Sequence, residues 1–163
     1  DVIDVRGLYV GQWGKLHLYW GDVRRQLFRI RGHADIIFIE PGKIEEQVEF
    51  FTVDFLLRVS RLLAPGGIIL MNTSHTPAEI REALGFEGGA VWCVDASKIA
   101  LEELRRDIPS TMMLAVVARA ADFVSLEAAI EVTKESLGTR LRPEIVEANV
   151  RALERAYNEC VQG

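Results

Sequence analysis

The chain has 163 residues, of which 49% are hydrophobic and 26% charged, a balance that suits one folded domain over residues 1–163 and not a disordered chain. A formal net charge of -5 offers no basic footprint for nucleic acid or an anionic membrane surface. No stretch approaches the ~20 apolar residues that a membrane helix needs, and the opening "DVIDVRG" lacks a signal-peptide pattern, so a cytoplasmic location is expected.

In chain order, "KLHLYWGDVRRQLFRI" sets two stretches rich in β-branched, aromatic and leucine residues around Gly21 and Asp22, which predicts an antiparallel hairpin. Its Arg24, Arg25, Arg29 and Arg31 form a basic cluster, read as a solvated strand face or a subunit contact. Next, "DIIFIE" (35–40), closed by Pro41 and Gly42, predicts a strand buried on both faces, the mark of a parallel sheet. Residues 43–63 place Phe51, Phe55, Leu56, Val59, Leu62 and Leu63 at helical spacing, with Arg58 and Arg61 in the last turns where the helix dipole favours them. Pro65, Gly66 and Gly67 end that helix, and "IILMN" is the next buried strand. Such a strand, helix and strand unit is expected to cross over right-handed.

Thr76, Pro77 and Glu79 combine an N-cap hydroxyl, a proline at N1 and a glutamate at N3, a capping box for a helix running to about residue 84. "GFEGGAVWCV" supplies a turn and one more buried strand, in which Cys93 reads as a small buried hydrophobe. From Asp95, itself read as an N-cap, only helices are expected, at about 96–105, 111–121, 126–136 and 143–160. The fold class is therefore α/β: a three-layer Rossmann-like open sheet, mostly parallel with an N-terminal β-hairpin, and a helical C-terminal part.

Chemistry for this chain alone is sparse. His17, His33 and His75 share no ligand spacing on a predicted element, so no metal site is assigned. His17 and His33 read as structural, whereas His75 lies in the loop ending a predicted parallel strand, where open α/β sheets place ligands. Cys93 and Cys160 stand far apart and form no C-x-x-C pair, too few thiolates for an iron–sulfur cluster, which needs about four. Glu45, Glu46 and Glu49 fit an exposed helix face, as do Glu102 and Glu103, and no serine sits in a nucleophile-elbow pattern. No catalytic residue is assigned.

The segment "STMMLAVVARAA" is apolar on every face from Met112 to Ala118, more than a small two-layer domain ordinarily buries by itself. At its start Ser110 and Thr111 follow Pro109, so amides and hydroxyls converge there, either as an anion or carboxylate site or as the cap of a core helix. In the last helix Val146, Val150, Leu153, Tyr157 and Cys160 form a stripe in steps of four and three, suited to packing on the domain or on a partner.

Two resemblances attach to these motifs. "DIIFIEP" and "LLAPGGIILMN" resemble part of a class I S-adenosylmethionine-dependent methyltransferase. The glycine-rich loop of such an enzyme is matched here only by Gly7, Gly11 and Gly14, without a strand of normal length before them or a helix after them. The second half is similar to the gamma subunit of 2-oxoacid:ferredoxin oxidoreductases, the pyruvate/ketoisovalerate oxidoreductase gamma domain. Asp95, Ala96, Ile99 and Ala100 fill its Asp-Ala-x-x-Ile-Ala pattern, and Thr111, Met113 and Leu114 fill most of Asn-Thr-x-Met-Leu-Gly. Val124, Ser125, Leu126 and Glu127 fill Val-Ser-Leu-Glu, and Asn149, Ala156 and Tyr157 the close. "ADIIFIEP" and "LLAPGGIILMNTS" stand where that family has its alanine-aspartate and Pro-Gly-Gly strands. Ser110 replaces the usual asparagine and Ala115 the usual glycine, while the family's opening strand, Gly-Arg-Gly-Gly-Gln-Gly turn and first helix find no counterpart.

The resemblance implies a gamma component of a multisubunit enzyme that oxidatively decarboxylates a 2-oxoacid, and not a catalyst by itself. Thiamine diphosphate, iron–sulfur clusters and coenzyme A are expected in the complex, mainly on other subunits, with none bound by this chain alone. The implied partners are thiamine-binding and ferredoxin-type subunits, with no nucleic acid and no membrane. Thr73, Ser74 and His75 in one loop, and Ser110, Thr111 and Met112 in one turn, are the expected cofactor-binding, substrate-facing or partner-facing positions. A purely structural assembly subunit is the alternative within the same resemblance.

Overall fold

The structure is a computed structural model. The chain divides into two compact units, Asp1–Gly32 and His33–Gly163. The described residues are 33–39, 53–85, 88–121 and 124–163, all in the second unit. The predicted hairpin with its arginines, the glycine cluster, His17, and Glu45, Glu46 and Glu49 lie outside them.

The second unit runs β1 (Ala34–Ile39), α1 (Val53–Leu62), β2 (Leu63–Asn72), α2 (Pro77–Leu84), β3 (Ala90–Val94), α3 (Ala96–Leu104), α4 (Ser110–Ala120), α5 (Leu126–Gly138), α6 (Pro143–Glu159) and β4 (Val161–Gln162). The sheet order is β1-β2-β3-β4. The first three strands are parallel and β4 pairs antiparallel with β3.

Alternation along the strands builds three layers. Leu70 and Val94, with Ile36, Ile68 and Trp92, join one apolar cluster with residues of α3, α4 and α6. Ile69, Met71, Val91 and Cys93, one step out of phase, are also buried but lie outside that cluster. Successive side chains point to opposite faces, so the odd-numbered set meets α1 and α2, the crossover helices, which right-handed connections between neighbouring parallel strands place on one face. Val59 and Ile80 supply the buried surface of those helices.

Local signals set the helix ends. Thr76 Oγ1 accepts the Glu79 amide, and Glu79 Oε2 accepts the Thr76 amide at 2.7 Å, the complete capping box. Asp95 accepts the Lys98 amide at 2.9 Å and Ser125 the Ala128 amide at 3.1 Å. Gly89 adopts φ +69°, and a Cβ there would collide with the Gly67 carbonyl oxygen, so the Pro-Gly-Gly turn and the turn entering β3 meet backbone to backbone.

Four expectations are corrected by tertiary packing. β1 is not buried on both faces: Phe38 is exposed, because among the described strands β1 has a neighbour only in β2. A strand does follow Asp95: Val161 and Gln162 pair with Cys93 and Trp92, and Gly163 exchanges both main-chain hydrogen bonds with Val91. The apolar helix α4 needs no partner to bury it, since α3, α5, α6, β2 and β3 all pack around it and Met112, Met113, Ala115 and Val116 retain no exposed surface. Finally, the buried stripe of α6 is Asn149, Ala152, Leu153, Ala156 and Cys160, with Val146, Val150 and Tyr157 half-buried at its margin. On the solvent side Arg155 ties α6 to α3, at 2.7 Å from Glu102 and 3.4 Å from Glu103, while also reaching Glu159 at 2.6 Å.

Candidate functional site

The loop after β2 begins on Asn72, a buried polar residue whose hydrogen bonds are all internal. Its Oδ1 accepts the amides of Ala96 at 3.0 Å and Ser97 at 3.3 Å, and its Nδ2 donates to Ser97 Oγ. Both acceptances fall on the first amides of α3, the groups that a helix leaves without internal partners. Asn72 thus closes the crevice between the β2 and β3 ends to an anion and fixes the root of the loop, where the Thr73 amide also donates to the Val94 carbonyl at 2.8 Å.

Beyond that root, Ser74 and His75 are exposed and Thr73 half-buried. The His75 amide donates to Thr73 Oγ1, while His75 Nδ1 lies 3.8 Å from Glu79 Oε2. Glu79 is held below its ordinary carboxylate range, first by the Thr76 amide and then by the Thr76 hydroxyl, with His75 adding a smaller pull. The loop is therefore an ordered, polar, outward-facing platform.

The second predicted turn resolves differently for each residue. Ser110 is exposed in the first turn of α4, whose N-cap is Pro109, and no side chain caps it. Met112 is wholly buried in the core, which removes its side chain from any partner-facing role. Thr111 donates its hydroxyl to Asn149 Oδ1 at 3.3 Å, and Asn149 Nδ2 donates to the Ile145 carbonyl. Together they line a cleft of about 550 Å³ whose walls include Ile108, Leu141 and Ile145, with Arg106 and Glu144 among its charged lining residues. The structure does not bring His75 into that cleft.

Sequence reasoning missed Asn72 and the apolar mouth of this cleft. The signal for Asn72 is an asparagine at a strand end facing a helix start, whereas Ile108, Leu141 and Ile145 sit in or beside loops where no periodicity marks them.

Burial pushes the Cys93 thiol up to about 12 and raises that of Cys160, so neither offers a thiolate. Among the described residues no group of three or more histidine, cysteine or carboxylate side chains is placed to hold a metal ion. Their donor chemistry does not fit an iron–sulfur cluster, which needs about four thiolates. No helix among the described residues is long and apolar enough to cross a membrane.

An open, mostly parallel sheet between two helical layers, with ordered loops at its strand ends, places the molecule in the Rossmann-like α/β class. Comparison with known proteins narrows this. Residues 35–159 match the family described as pyruvate ferredoxin/flavodoxin oxidoreductase, and the chain belongs to that family. It is 39% identical over 97 residues to the pyruvate synthase subunit PorC of Thermotoga maritima, covering 60% of this chain and 50% of that one. It is 34% identical over 126 residues to the common gamma subunit of pyruvate/ketoisovalerate oxidoreductases from Thermococcus kodakarensis, covering 77% of this chain and 60% of the relative. The gamma subunit of an NADH-dependent phenylglyoxylate dehydrogenase from Aromatoleum evansii is 36% identical over 135 residues, with 83% and 63% covered. The crystal structure of the Thermotoga maritima pyruvate oxidoreductase subunit PORC superposes with a TM-score of 0.65 at 29% identity, covering 82% of this chain and 67% of that one. The chain thus spans between half and two thirds of the length of these curated relatives. The segment that also resembles a methyltransferase falls within the family match.

Proposed function

We propose that the chain is the gamma component of a multisubunit 2-oxoacid:ferredoxin oxidoreductase, packing beside a thiamine diphosphate site that other subunits supply, in the cytoplasm. The observation that carries this reading is the family match across residues 35–159, together with relatives that are themselves gamma or PorC subunits. When bound in such a complex, thiamine diphosphate supplies the carbanion chemistry of decarboxylation, iron–sulfur clusters take the electrons toward ferredoxin, and coenzyme A takes the acyl group.

This chain's contribution is to orient and exclude water. The platform of Thr73, Ser74 and His75 is held rigid from below by Asn72, which suits it to enclose a neighbour's active site. Ser110 and Thr111 are assigned to a partner-facing role. The substrate is a 2-oxoacid, whose side chain is read by other subunits.

Tagged protein expressed in its native cell should bring down a thiamine-containing subunit and an iron–sulfur subunit, and the eluate should reduce ferredoxin with a 2-oxoacid. Isolation of the chain alone, colourless, sinks the reading. Replacing His75 by alanine separates enclosure from scaffolding: an assembled complex with kcat several-fold lower supports enclosure, and an unchanged kcat assigns the chain a purely structural place.

A further inference from the structure

The cleft beside Thr111 has features that the fold itself does not use. Ile108, Leu141 and Ile145 are exposed, by 51%, 39% and 44%, yet line one concave surface. Leu141 also lines a second cleft of about 560 Å³ across the first turns of α6, into which Val146 and Val150 face. Leu141, in the turn at residues 139–142, thus borders both clefts and joins their apolar linings.

The charged groups discriminate further. Glu103 is already matched, at 3.4 Å from Arg155 and 3.8 Å from Arg151. Arg106 and Glu144 come from different walls of the first cleft, the α3–α4 connection and the first turn of α6, and neither makes an ion pair among the described residues. At the polar end, Asn149 uses one Nδ2 hydrogen on Ile145, leaving the second without an acceptor among the described residues, and the Thr111 oxygen keeps its lone pairs. An apolar centre, a charged rim and one donor beside one acceptor have the anatomy of a protein–protein contact.

We infer that these two clefts seat a segment of another subunit of the oxidoreductase, which inserts an aliphatic side chain between Ile108 and Ile145. That segment carries an acidic residue toward Arg106 and a basic one toward Glu144. The inference rests on the proposed gamma-component role and names the surface through which that role is exercised.

The test is affinity purification of the full chain from its native cell, with the co-purifying subunits identified and quantified. Wild type should bring down the oxidoreductase subunits, and Ile145→Asp should lower their yield at least roughly tenfold while the isolated variant melts within a few degrees of wild type. Should Ile145→Asp melt early, the surface double change Arg106→Glu with Glu144→Arg is scored instead, with the same expectation. A photo-crosslinking residue at position 141 should join the chain to one segment of another subunit, located by mass spectrometry. Undiminished co-purification by both variants overturns the inference while leaving the gamma role intact. A wild-type chain that brings down no oxidoreductase subunit overturns both. If the isolated chain is a dimer that Ile145→Asp makes monomeric, or holds a small-molecule adduct that Ile145→Asp loses, the clefts belong to a second copy or to a ligand, and the inference is likewise overturned.

Discussion

Thr111 donates its hydroxyl to Asn149 Oδ1 at 3.3 Å, joining the first turn of α4 to α6 across 38 residues of sequence. Asn149 is buried and also holds the Ile145 carbonyl. Asn149→Ala should therefore cost about 1–3 kcal/mol and Thr111→Val about 1 kcal/mol in urea unfolding. The double change should cost less than the sum of the two, because the two side chains share one bond. Strict additivity would show that the contact carries no coupling energy.

Two glycines are expected to respond oppositely to alanine. At Gly89, φ is +69° and an added methyl would strike the Gly67 carbonyl oxygen, so Gly89→Ala should lower stability by about 2 kcal/mol or more. Gly138 ends α5 with open space around it, so Gly138→Ala should raise stability by about 0.5 kcal/mol through helix propensity. Thermal melts of the two variants, read side by side, check the pair.

The capping box predicts an acid-side dependence. Because the folded-state pKa of Glu79 is depressed, its contribution is present above the unfolded value and is lost as pH falls through the folded one. Carbon-detected titration should find Glu79 ionised to lower pH than an ordinary glutamate, and Thr76→Ala should return it toward normal, since the Thr76 hydroxyl is one of its partners. A Glu79 titration at the ordinary value in wild type would contradict the box.

Both cysteines should be silent toward an aromatic disulfide reagent at pH 8 in the folded protein and should react fully in denaturant. Burial lifts the Cys93 thiol to about 12 and raises Cys160 as well, so the thiolate is scarce in each. Prompt labelling of one thiol under native conditions would place it at the surface.

Much of the framework was legible because it depends on residues a few positions apart. The capping box of Thr76 and Glu79, the Asp95 cap and the buried "IILMN" strand are local patterns, and the structure has them where the spacing predicts. The candidate site was legible only in part. The polar loop at residues 73–75 follows from a strand end, whereas the cleft at Thr111 depends on Asn149 and Ile145 from α6 and Leu141 from the turn before it, all distant in sequence. Met112, expected among the partner- or substrate-facing positions, is buried, because an all-apolar helix gives no phase from which to tell its buried side from its open one.

By itself the sequence determined the order and type of the described elements as far as the end of α6, the caps at Thr76 and Asp95, and the place of Cys93 in the core, since hydrophobic period and cap chemistry act within one or two turns. Tertiary structure alone decided that α4 is enclosed by its own domain, that β1 stands at an edge of the described sheet, and that Val161 and Gln162 become a strand. A two-residue strand has no period to read, and its pairing to Cys93 and Trp92 is settled only when α6 delivers it to the edge of β3.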